Sequence, residues 1–126
     1  TCRSRWSSNG TAAAEGPGHM DMQLRQGDAL VIVDVQRDFV DGSLAAPGAP
    51  RIVPILEHYV GCFREKGLPV FATRDWHPPD HMSFRAQGGP WPPHCVRNTP
   101  GAAFHPDLRL PPDTGNLTER APGSSR

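Results

Sequence analysis

Two short apolar runs, each stopping at an aspartate and separated by one helix-length segment, restrict this chain more than any other feature. Ala29-Leu30-Val31-Ile32-Val33 is continuous, rich in β-branched side chains, and ends at Asp34. Such a run suits a parallel strand buried on both faces. Ile52, Leu56, Tyr59 and Phe63 then recur at helical spacing, joined by Ile55 and Val60. Pro50 and Pro54 fall near the first turn, where proline is tolerated, and Gly67 supplies the stop. Residues 69–74, PVFATR, form a second short strand that ends just before Asp75. The order strand, helix, strand predicts parallel neighbours joined by a right-handed crossover. Parallel neighbours put their carboxyl ends on one edge of the sheet. Asp34 and Asp75, each one residue past a strand, therefore arrive at the edge where open α/β sheets bind ligands.

The rest of the chain limits what surrounds this unit. Its 126 residues are enough for one domain and not for two. The 13 basic and 13 acidic side chains balance, so no bulk field draws the protein to nucleic acid or to a membrane surface. No apolar run approaches the ~20 residues that cross a bilayer. Cys2, Cys62 and Cys95 are odd in number, irregularly spaced and without a CxxC pair, which argues against a disulfide framework and for a reducing cytoplasm. The 15 prolines and 13 glycines put much of the chain into loops. They are unevenly spread. Residues 1–20 and 115–126 show neither helical nor strand periodicity. The expected organisation is a disordered or non-native leader over 1–27, an ordered unit over 28–114, and an aberrant, strandless tail over 115–126. Met20 or Met22 reads as the natural start, preceded by upstream translation or vector sequence.

Past the second strand the sequence turns chemical. In Asp75-Trp76-His77-Pro78-Pro79-Asp80-His81 a carboxylate and two imidazoles surround two prolines. Such donors suit zinc, iron or manganese better than calcium or magnesium. His94 follows in Trp91-Pro92-Pro93-His94-Cys95. By spacing alone two ligands and a candidate third do not close a set. His19, His58 and His105 read as surface or satisfied core residues. Phe39, shortly after the first strand, and Trp91, between two prolines, can each serve as core or as the wall of a ligand site.

Three segments in this order, DVQRDFVDGSLAAPGA, TRDWHPPDHMSF and WPPHCVRNTPGAAFHPDL, resemble the nicotinamidase branch of the isochorismatase-like cysteine hydrolases. The resemblance covers residues 29 to 114. It implies an α/β fold, a doubly wound parallel sheet of three α/β/α layers. It also implies that Asp34 is the catalytic acid/base, that Asp75, His77 and His94 hold one divalent metal ion (Zn, Fe or Mn), and that His81 is a further ligand in some members. Phe39 and Trp91 match the aromatic walls around the pyridine ring. The implied reaction converts nicotinamide to nicotinic acid and ammonia in NAD salvage, through a cysteine nucleophile beside a lysine. The implied partners are the small amide substrate and, in the full-length form, further copies of the chain.

Two parts of the pattern are missing. The family lysine lies on the strand after a segment like HPDLRLPPDT, and the nucleophilic cysteine lies farther on. Here that segment ends at Thr114 and is followed by GNLTERAPGSSR, without lysine. Lys66, the chain's one lysine, precedes the second strand, and no cysteine matches the nucleophile. The expectation is the first half of a nicotinamidase, inactive by itself. The alternatives are a metal- and pyridine-binding module without turnover, or a fragment acting by interaction.

Overall fold

The structure is a computed structural model that describes residues 23–119. Most of the expected leader, with Cys2, His19, Met20 and Met22, and the end of the expected tail lie outside the described residues.

Three parallel strands carry the fold: β1 (Leu30–Ile32), β2 (Val70–Asp75) and β3 (Gly115–Glu119), with β2 in the centre. Leu30 pairs with Val70 and Ile32 with Ala72, in the strand, helix, strand order that the sequence predicts. The tail expectation fails at β3. Residues 115–119 form a full strand against β2, from Phe71↔Gly115 to Asp75↔Glu119. GNLTE lacks the β-branched, apolar run of β1, and its pairing comes from the neighbour instead. A Cβ at Gly115 would collide with the Phe71 ring, so glycine lets the strand approach beneath it.

Helix α2 (Val53–Glu65) links β1 to β2, after the short helix α1 (Arg37–Val40) and a 3-10 turn over Ala49–Ile52. Its end is a Schellman motif. Gly67 takes φ 65°, its N–H donates to the Arg64 carbonyl at 3.0 Å, and the Leu68 N–H donates to Phe63 at 2.9 Å. The apolar face keeps Leu56, Val60 and Phe63 of the expected set but begins at Val53 and not at Ile52. Val53, Val60 and Phe63 are buried with Leu56 packed beside them, whereas Ile52 is 45% exposed because it still belongs to the 3-10 turn.

This face packs on β1 and β2, and Ile32, Val70, Ala72 and Leu108 complete the core. Each fully buried aliphatic or aromatic side chain contributes roughly 1.5–3 kcal/mol. The opposite sheet face differs from expectation. Val31, Val33 and Leu117 are 54%, 65% and 54% exposed, so β1 is buried on one face, not two. Over the described residues the sheet has a helix layer on one side only. Cys62, on α2, is disulfide-bonded. An odd cysteine count argues against a framework of bridges without forbidding one bridge. Among the described residues no helix is long and apolar enough to cross a membrane.

Where this face begins is testable by denaturant unfolding. Phe63→Ala should cost about 3–5 kcal/mol through the cavity it leaves, while Ile52→Ala should stay within about 0.5 kcal/mol. Equal losses would restore the face read from the spacing.

Candidate metal centre

The parallel register brings both strand-end acids to one edge, with slightly shifted bounds. Asp34 lies two residues beyond β1, and Asp75 is the last residue of β2. Asp34 holds a left-handed φ of 52°. Its N–H donates to the Thr73 carbonyl (3.3 Å) and hydroxyl oxygen (3.2 Å), and that hydroxyl donates to Asp34 Oδ1 at 2.7 Å. The aspartate is thus held on the neighbouring strand.

Beyond β2 the chain runs through the two histidine-bearing loops with only a 3-10 turn over Arg85–Gln87, and backbone hydrogen bonds lace the loops together. The His77 N–H donates to Cys95 and the Arg97 N–H to His77, both at 2.9 Å, making a short parallel bridge. A second lacing ties Trp91 to Ser83 (3.0 Å) and Arg85 to Trp91 (2.8 Å). The prolines in both loops donate no backbone N–H, so the pairing falls to the residues between them.

The lacing brings Asp75, His77 and His94 together, each offering one ligand atom, all within 4.8 Å of one another. Their chemistry fits a divalent metal. His94 is buried, and its Nδ1 lies 2.8 Å from the Pro92 carbonyl. A carbonyl only accepts, so Nδ1 carries the proton and Nε2 keeps its lone pair for a ligand. Burial lowers the pKa of His77, and the neighbouring His81 and His94 lower it further against the opposing pull of Asp75. The ring is therefore neutral at neutral pH, as a metal ligand must be. His77 Nε2 sits 3.2 Å from Asp75 Oδ2, a contact that a shared cation would replace.

His81 stands apart from the three. It stacks on His77 with centroids 4.1 Å apart, while its Nδ1 accepts from the Ser83 hydroxyl at 2.7 Å and, more weakly, from the Ser83 N–H at 3.4 Å. With Nδ1 accepting, a neutral ring carries its proton on Nε2, which suits a donor rather than a ligand. His105 meets the bland expectation, with Nε2 3.5 Å from Asp41.

Aromatic rings line the group. Phe39 packs against His94 at 5.5 Å between centroids, and Trp91 is half exposed. Phe84 is 1% exposed and meets His77, His81 and His94 edge-on, so it forms the floor of the cluster. Sequence reasoning did not single Phe84 out. Its place three residues after His81, in the same proline-stiffened loop, was the available signal.

The fold and this geometry agree with known proteins. The isochorismatase domain model matches residues 28–120. A nicotinamidase/pyrazinamidase of Mycobacterium tuberculosis is 45% identical over 84 residues, covering 64% of this chain and 45% of that protein. A nicotinamidase of Acinetobacter baylyi is 35% identical over 111 residues, covering 73% of this chain and 50% of that protein. Among solved structures, the pyrazinamidase of Pyrococcus horikoshii in complex with zinc superposes with a TM-score of 0.71 at 46% identity, covering 78% of this chain and 54% of that one. The chain spans about half the length of the curated relatives it matches.

Cys95 shares this site without being suited to attack. It is fully buried, and its pKa is pushed up to about 12, first by burial and then by the charges of Asp75, Asp38 and Asp34. Only the thiolate is a good nucleophile. Peptide mapping after iodoacetamide treatment at pH 8 should find Cys95 unlabelled in the folded chain and labelled after denaturation. The unfolded thiol loses its proton near the ordinary 9.0, whereas the folded one keeps it to about 12. The stabilising contribution of the retained proton is therefore intact below pH 9 and lost as the pH climbs toward 12.

Proposed function

The chain belongs to the isochorismatase domain family, and from that premise we propose that it carries the metal- and pyridine-binding part of a nicotinamidase-type amidohydrolase. The observation that carries the proposal is the convergence of Asp75, His77 and His94 within 4.8 Å at the carboxyl edge of β2. Zinc, iron or manganese held there would supply a Lewis-acidic anchor for a ring nitrogen. Phe39, packed on His94, and the half-exposed Trp91 are assigned to the faces of the pyridine ring. Asp34 is assigned to proton transfer. Its Oδ1 accepts from Thr73, which leaves Oδ2 to take a proton from a nucleophile. His81 supports the His77 ring by stacking and is a lesser ligand candidate.

The substrate class follows from the relatives. The relatives named above are nicotinamidases and pyrazinamidases, an L. infantum relative was solved in complex with nicotinate, and an N-carbamoylsarcosine amidase of Thermoplasma acidophilum is also similar in fold. Nicotinamide, with nicotinic acid and ammonia as products in NAD salvage, is the reaction we assign to the complete enzyme. A homo-oligomer as its assembled form and the cytoplasm as its compartment belong to the same reading.

One observation favours a second reading for this chain alone, a binding module without turnover. Among the described cysteines, Cys62 is disulfide-bonded and Cys95 is a buried, protonated thiol. Lys66 is exposed at the C-cap of α2, at the opposite end of the sheet from the site. Among the described residues the thiolate and its neighbouring cation have no candidate. Loss of a nucleophile alone commonly forfeits about 10⁶-fold in rate.

Metal analysis of the purified chain tests the site. Asp75→Ala and His77→Ala should each remove most of the bound metal, and His81→Ala should remove less. An unchanged metal-to-protein ratio in the first two would refute the ligand assignment. Nicotinamide titrated against the metal-loaded chain should bind at least several-fold more weakly after Phe39→Leu or Trp91→Leu, with thermal stability changed by no more than ~1–2 kcal/mol. The same samples should release no ammonia above background; turnover lost with Cys95→Ser would make Cys95 the nucleophile, and turnover surviving both Cys62→Ser and Cys95→Ser would rule out both of these thiols.

A further inference from the structure

Gln36 is a fully buried polar side chain that hydrogen-bonds to backbone. Its Oε1 accepts the Asp75 N–H at 2.8 Å, and its Nε2 donates to the Asp75 carbonyl and to the Ala102 carbonyl, each at 2.8 Å. The ladder register explains why. β1 stops at Ile32 opposite Ala72, so Asp75 has no β1 residue beside it, although Glu119 of β3 pairs with it on the other side. The amide of Gln36 presents the same donor and acceptor as a peptide group and takes the place that a longer β1 would fill beside Asp75. Unpaired, those backbone groups would cost about 1–3 kcal/mol each.

Two residues on, Asp38 does the equivalent for the other loop. Its Oδ2 accepts the Cys95 N–H at 2.8 Å, and its Oδ1 accepts more weakly from the Ser43 N–H at 3.4 Å. Cys95 holds a left-handed φ of 46°, a conformation that a non-glycine residue keeps only when its surroundings impose it. A Cβ on Gly42 or Gly101 would collide with Asp38, so the glycines close around this residue. One short segment thereby grips the backbone of Asp75 and that of Cys95, the neighbour of His94.

We propose that Gln36 and Asp38 are positioning residues that set the spacing of Asp75 and His94 for a divalent metal. The proposal rests on the ligand assignment above. Neither side chain touches the metal. They act by fixing the backbones from which two of the three ligands project, and groups that orient ligands typically change metal affinity 10–100-fold when lost.

The test is zinc affinity of the full chain, by competition with a chromophoric chelator, together with the visible spectrum of the cobalt-loaded chain, which reports ligand geometry. Gln36→Met keeps the side-chain volume but cannot hold Asp75. Asp38→Asn keeps the shape but turns one of two acceptors into a donor. Val60→Ala, in the core of α2, serves as a control that loses stability away from the site. Each positioning variant should bind zinc at least tenfold more weakly than the parent and shift the cobalt bands, while Val60→Ala leaves both unchanged. If Gln36→Met does not fold, Asp38→Asn decides by the same criterion. Zinc affinity within twofold of the parent, or a loss no larger than in Val60→Ala, overturns the proposal. Asp75→Ala measured alongside separates the failures: if it too leaves affinity unchanged, the ligand assignment falls and the positioning role falls with it.

Discussion

The pairing of β1 with β2 is the constraint from which the site follows. Because the strands are parallel, both deliver their last residues to the same edge, and because Ile32 sits opposite Ala72, Asp34 comes to rest beside Thr73. A shift of one residue would turn the side chains of β1 to the other face and expose Ile32, now 1% exposed. The hydrophobic core on α2 thus fixes the register, and the register fixes where two carboxylates stand. No part of the metal-ligand geometry needs a rigid helix of its own. The loops beyond β2 are held by each other and by Gln36 and Asp38.

The electrostatics of this edge have one sign. Asp34, Asp38 and Asp75 all act on Cys95, and all push its thiol toward the neutral form. A field that disfavours a thiolate favours a cation, so the same carboxylates that silence Cys95 prepare the edge for a divalent ion. The imidazoles divide this labour. His94 is locked in one tautomer by a carbonyl, and His77 is kept neutral by burial. Both present lone pairs where protonated rings would repel the metal.

Much of this was legible in the sequence, for definite reasons. β2 was expected over residues 69–74 and runs over Val70–Asp75, because an apolar, β-branched run bounded by a glycine-proline stretch has few other fates. The candidate ligand trio was legible as chemistry, since a carboxylate and imidazole two residues apart past a strand end have few bland uses; spacing alone left the set open, and it was the family resemblance that added His94. β3 was not legible. Its pairing depends on Phe71 roofing Gly115, and nothing within GNLTE reports that neighbour. The exposed face of β1 was likewise hidden, because a run of consecutive apolar residues cannot say whether a second layer covers it. Gln36 was the hardest to see. A glutamine satisfying a distant backbone leaves no periodic mark, and its meaning appears only once β1 is known to stop three residues short of the level of Asp75.

The left-handed backbone at Asp34 narrows what this position can hold. At φ near +50° a β-branched or bulky residue is strained, while glycine, asparagine and aspartate fit with least cost. Glycine brings no side chain to meet the Thr73 hydroxyl, and asparagine brings one without charge. Glutamate, the usual acidic stand-in, carries a longer arm and lacks the local hydrogen bonding that eases this conformation. Backbone and hydrogen bonding therefore converge on a short side chain that carries an oxygen acceptor, which aspartate supplies to the Thr73 hydroxyl.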